Sequence, residues 1–149
     1  MNIQKKFNEA IEKNYIENVK SLLNHPDVNP ANEDNWAIIK AAKEGHYDII
    51  KLLINDHRVN PSDKNNWAII EAAREGHYDI IKLLLNDNRV NSSARNNSAI
   101  TDAYSNKHLE IVNLLWQDQR VKDTLKKDDE ELYNELVKKD KIKYKVESF

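Results

Sequence analysis

Repetition at a fixed interval constrains this chain more than any other property. Trp36 and Trp67, Gly45 and Gly76, and His46, His77 and His108 recur every 31 residues. Val28, Val59, Val90 and Val121 keep the same step, and Asn29, Asn60 and Asn91 follow the first three of them. The segment NWAIIKAAKEGHYDIIKLLIND at 35–56 returns at 66–87 as NWAIIEAAREGHYDIIKLLLND, and in weaker form at 97–118 and 4–25. Four related units result, 1–31, 32–62, 63–93 and 94–121, with a divergent 122–149 beyond them. Such a period specifies a stack in which each unit buries its apolar side against its neighbours. One domain is expected over 1–149, with 1–31 as an N-terminal capping unit and 122–149 as a capping helix and tail.

Inside a unit the apolar spacing reads as two short helices. Ile69, Ala72 and Ala73 fall at i, i+3 and i+4, Gly76 interrupts, and Ile80, Ile81, Leu83, Leu84 and Leu85 resume. Gly45 and Gly76 suit the left-handed residue that ends a helix; Asn14 is tolerated there and Lys107 is a poor substitute. Glu17, Asp48, Asp79 and Glu110 fall in the first turn of the second helices, where the dipole favours anions. The linkers VNPANEDN (28–35), VNPSDKNN (59–66) and VNSSARNN (90–97) have turn composition.

Composition narrows the function. A net charge of −2 provides no dense cationic patch, so DNA binding is not expected. With no cysteine there is neither a disulfide nor a thiolate metal site, and two glycines cannot build a phosphate loop. No apolar run approaches the ~20 residues of a membrane span, and no signal peptide opens the chain, so a soluble intracellular protein is expected. The many carboxylates, such as Glu44, Glu75, Asp48 and Asp79, recur with the period as a solvated face would. No catalytic residue, cofactor or metal is therefore assigned.

These units resemble the ankyrin repeat, with its helix pair, Gly-His turn and following Val-Asn. The match runs from Ile38 through Ala41-Ala42, Gly45-His46, Ile49-Ile50 and Leu53-Ile54 to Val59-Asn60, and covers about 1–121. Where that family carries Thr-Pro-Leu-His, this chain has Trp36-Ala37-Ile38-Ile39, and its unit is 31 residues rather than the usual 33. Shorter, Asn-based turns are therefore expected. The 31-residue, Asn-rich form is similar to ankyrin proteins of giant DNA viruses of amoebae, which would put the chain in a host cytoplasm. The resemblance implies an all-α solenoid of stacked antiparallel helix pairs with short turn fingers. It also implies a protein-protein interaction module whose partner docks on the concave face of turn tips and first helices. A structural component that self-associates through a stack end is the alternative, and an RNA-binding module a more distant one.

The resemblance places Asn35, Ala37 and Lys40, Asn66, Ala68 and Glu71, and Asn97, Ala99 and Asp102 along that face. Lys40, Glu71 and Asp102 would form a positive-to-negative row that orients a partner. Asn35, Asn66 and Asn97 would offer hydrogen bonds at the tips. Trp36 and Trp67 are either exposed anchors or internal packing; Ser98 stands at the matching place in the next unit. Gly45, His46, Gly76, His77 and His108 are turn residues with a structural job. Stacked helices lie ~8–10 Å apart, too far for the three imidazoles to share one ion. At the ends, Ile3, Phe7, Ala10 and Ile11 make a capping stripe. Leu132, Leu136 and Val137 are expected to close the apolar end beside Trp116, and the alternation in 141–149 is read as a tail rather than a strand.

Overall fold

A computed structural model describes the backbone of residues 2–147 and the side chains of residues 2–141. The described chain is entirely helical: α1 (Ile3–Glu12), α2 (Ile16–Leu23), α3 (Asn32–Glu44), α4 (Tyr47–Ile54), α5 (Asp63–Glu75), α6 (Tyr78–Leu85), α7 (Ala94–Ser105), α8 (Leu109–Leu115), α9 (Gln119–Asp128) and α10 (Glu130–Glu147). Each helix pairs with its successor inside a unit, and α1, α3, α5, α7 and α9 stack on one another in order.

Side-chain size sets the shape. The first helices bury small residues, Ala41 and Ala42 in α3, Ala72 and Ala73 in α5, and Ala103 in α7, so their backbones approach closely. The second helices bury Ile49, Ile50 and Leu53 in α4, Ile80, Ile81 and Leu84 in α6, and Ile111, Val112 and Leu115 in α8. First helices consequently pack more extensively on each other than second helices do. A stack that is tight on one side and splayed on the other curves toward the tight side, which makes the α3–α5–α7 face concave.

Between the helices of a pair the chain turns through one left-handed residue: Asn14 (φ 56°), Gly45 (φ 78°), Gly76 (φ 87°) and Lys107 (φ 63°). The two glycines have a second reason to lack a side chain. A Cβ on Gly45 would lie 2.6 Å from Cε1 of His77, and one on Gly76 would lie 2.6 Å from Cε1 of His108. Each ring sits over the turn of the preceding unit.

The fingers are left-handed turns. Glu33-Asp34-Asn35, Lys64-Asn65-Asn66 and Arg95-Asn96-Asn97 all have φ between 51° and 64°, and right-handed helix begins only at Trp36, Trp67 and Ser98. Asn and Asp tolerate this backbone better than other non-glycine residues, which is why they fill the second and third places.

The C-terminal end departs from the sequence reading in two ways. Instead of a linker, the chain passes from Trp116 through the N-cap Asp118 directly into α9, a helix the period did not announce. Residues 141–147, read as a tail, continue α10 as helix. Leu132 and Leu136 are buried, and Tyr133 packs on Trp116 with ring centroids 5.7 Å apart. Trp116 Nε1 also donates to Asp140.

Candidate functional site

The residues expected on the concave face divide into those that stitch units together and those that meet solvent. Asn35, Asn66 and Asn97 are buried, which corrects the expectation that they present hydrogen bonds at exposed tips. Asn35 Oδ1 accepts the backbone N–H of Asn60 at 2.8 Å while its Nδ2 donates to Asp63 at 2.8 Å. Asn66 accepts from the N–H of Asn91 at 2.6 Å, and in the first unit Gln4 does the same for Asn29 at 2.8 Å. These amides close the next linker. Asn97 has nothing to close, because the equivalent of Asn60 and Asn91 is Lys122 inside α9, and among the described residues both its side-chain polar atoms are without a partner.

The charge row is corrected too. Glu71 is buried and paired with Arg74 at 2.7 Å, and the same guanidinium reaches Asp102 at 2.8 Å. Lys40 is tied to Glu44 at 3.0 Å. Lys40 is thus neutralised by Glu44, whereas the one Arg74 guanidinium is shared between Glu71 and Asp102, so the row is reduced to a weak negative bias at its far end.

His46, His77 and His108 each bond back to the preceding unit. His77 Nε2 donates to the Lys43 carbonyl at 2.8 Å and His108 Nε2 to that of Arg74 at 3.0 Å, whereas His46 uses Nδ1 toward Ile11 O at 2.9 Å. A carbonyl only accepts, so these ring nitrogens carry the proton. The different seat of His46 follows from Asn14, whose Cβ stands where Gly45 and Gly76 leave room.

A further set of stitching residues escaped the sequence reading. Asp56 and Arg58 pair at 2.6 Å, and Arg58 also donates to the carbonyls of Leu23 at 2.8 Å and Val28 at 2.9 Å. One unit on, Asp87 and Arg89 pair at 2.6 Å and Arg89 reaches Val59 O at 3.0 Å. Arg58 and Arg89 hold the carboxyls of Asp56 and Asp87 below their usual range. Asp118, bonded to Arg120, Ser92 and a backbone N–H, is lowered to about 2. An Asp-x-Arg triplet at the 31-residue step was the available signal.

What remains open on the concave face is aromatic and cationic. Trp36 and Trp67 are partly buried and packed against the core. They share two shallow hollows, one of about 410 Å³ with Glu33, Ile39, Lys64 and Arg95, the other of about 430 Å³ with Ile39, Lys40, Lys43 and Glu71. The Arg95 guanidinium lies over the Trp67 ring at 4.4 Å, with that of Arg74 at 5.7 Å. Among the described residues no group of three or more His, Cys, Asp or Glu is placed to hold a metal.

A curved stack of helix pairs, held unit to unit by repeated backbone clips and open along one face, is a solenoid scaffold. A family model described as "Ankyrin repeats (3 copies)" matches residues 7–94 and 60–129, and the chain belongs to the ankyrin-repeat family. Ankyrin repeats are generally protein-protein interaction modules. No curated protein matches the chain. No described helix is long and apolar enough to cross a membrane.

Proposed function

We propose that this protein binds a partner protein on the concave face of units two to four, with Trp36 and Trp67 as its anchors. The observation that carries this is the pair of hollows built around the two indoles. A partly exposed tryptophan buries much area at little entropic cost, and residues of this type dominate interface energetics. The cations around them set orientation and on-rate. The Asn-rich 31-residue form, similar to ankyrin proteins of giant DNA viruses of amoebae, makes host proteins the first class to screen.

With a captured partner, Trp36→Ala and Trp67→Ala are each expected to weaken binding by roughly thirtyfold or more, the ~2 kcal/mol and above that truncation of an anchor costs. Unchanged affinity in both, with the fold intact by circular dichroism, moves the site off this face. Self-association is the second reading. Its support is a hollow of about 610 Å³ at the N-terminal end of the stack, lined by Ile3, Ala10, Tyr15 and Leu22 together with the polar Lys6, Glu9, Glu17, Asn18 and Ser21. Light scattering across a concentration series tests it, and a constant monomer mass removes it.

A further inference from the structure

The 31-residue step makes every finger comparable with the next, and one difference stands out. The first finger position is Glu33, Lys64 and then Arg95, each left-handed with φ of 51–52°. Asn or Gly would adopt this backbone more readily, yet a long charged side chain stands there three times. The three side chains differ in sign, so what each one does depends on its own neighbours.

Lys64 has its counter-ion one unit back, Asp34, at 2.8 Å. The residue one period after Asp34 is Asn65, so the carboxylate that serves Lys64 has no counterpart for Arg95. Arg95 is exposed and has no carboxylate partner among the described residues; its guanidinium lies over Trp67 instead. Stacking on an indole holds the guanidinium plane while its N–H edge stays available, and that fork matches a carboxylate. Lys43, on the rim of the other hollow, likewise has no carboxylate partner among the described residues. Glu33 lies at the opposite end of the Arg95 hollow and disfavours an acid there.

We infer that the segment bound on this face is an acidic peptide, which sets a carboxylate on Arg95 and a large apolar side chain between Trp36, Ile39 and Trp67. The inference rests on the binding face proposed above and adds the chemistry of its occupant. Indole stacking and cations also suit single-stranded RNA, but a phosphate chain needs a continuous cationic track. Here Glu33, Asp34 and Glu44 are exposed among the cations, and the net charge is −2.

The test is selection from a random dodecapeptide phage library, with recovered peptides synthesised and titrated by fluorescence anisotropy. The wild-type protein, Arg95→Gln, Trp36→Ala and Trp67→Ala are compared, each checked by its melting curve. Recovered peptides are expected to join Asp or Glu to Leu, Ile, Met or Phe. Their affinity is expected to fall by roughly tenfold or more in Arg95→Gln and to weaken as salt is raised. Peptides that need both tryptophans yet lack an acid, or bind Arg95→Gln equally well, overturn this inference and leave the binding face standing. Peptides indifferent to both tryptophans, or no peptide at all, count against both. Salt-sensitive binding of oligouridine lost in Arg95→Gln, with no peptide recovered, assigns the face to RNA and overturns the proposal.

Discussion

At the scale of single residues, the period marks positions under constraint without saying whether the constraint lies inside or outside the stack. Asn35, Asn66 and Asn97 recur like contact residues, yet two of them recur because an amide in a left-handed turn can close the following linker. Asn35→Ala is expected to cost about 1–3 kcal/mol, since it strands the Asn60 N–H and the Asp63 contact. Asn97→Ala bears the same backbone penalty but loses no hydrogen bond, and is expected to cost clearly less. Equal losses in urea midpoint would show that these clips contribute nothing. The turns give a second comparison. Gly45→Ala forces a Cβ both into left-handed backbone, at about 1–2 kcal/mol, and against the His77 ring. Lys107→Gly relieves the same backbone where no histidine follows, and is expected to raise stability by about 0.5–1 kcal/mol. The glycine positions were readable because their backbone requirement is local, whereas the histidine ring over each comes from the next unit and shows only in the fold. The asparagines were misread because their partners lie 25 residues on and only the fold shows them.

At the scale of elements, the helix pairs were legible wherever the apolar spacing was regular, and the junction after Trp116 was not. Val121 kept the valine period while the chain around it changed from linker to helix, and a buried valine satisfies either. The cap itself rests on ordinary packing: Leu136→Ala in α10 is expected to cost ~2–5 kcal/mol, and an unchanged urea midpoint would place that side chain outside the core. The start of α9 depends on charge as well. The Asp118 carboxyl is lowered to about 2 in the fold by Arg120, Ser92 and a backbone N–H. A carboxyl depressed by folding stabilises above its unfolded value near 3.9, and the gain is lost as pH falls from about 4 to about 2. The gain is on the order of 2 kcal/mol for this partly buried group, whose side chain is 20% exposed. Asp118→Asn is therefore expected to be less stable than wild type at neutral pH, with the gap closing on acidification. A gap independent of pH in urea titrations would mean that the ion pair does not hold the cap.

Across the whole molecule, stability in a stack is the sum of each unit and its junctions, and the junctions here are unequal. Between the second and third units, Asn35 closes the linker at Asn60 and His77 bonds Lys43 O. Arg58 and Arg89 clip their linkers to the preceding ones. At the junction of the fourth unit with α9 and α10 these devices lapse. Asn97 has no partner, Arg120 pairs only with its own Asp118 among the described residues, and Lys139 stands where the next histidine would fall. Packing of α9 on α7 is also less extensive than that of α7 on α5. What holds the last pair is the apolar contact of Val121, Leu125, Leu132 and Leu136, the packing of Tyr133 on Trp116, the Ser92–Asp118 bond at 2.7 Å, and the side-chain bonds that Tyr104 and Trp116 donate to Glu135 and Asp140 of α10. The C-terminal pair is therefore expected to open before the rest of the stack. The chain has three tryptophans, so Trp36→Phe with Trp67→Phe leaves Trp116, at that junction, as the sole tryptophan, excited selectively over the six tyrosines at the red edge of its absorption. In urea its emission is expected to shift to the red at lower concentration than the loss of helical circular dichroism. Superimposable curves would show instead that apolar burial at the cap couples as strongly as the clips do, and that the stack unfolds as one unit.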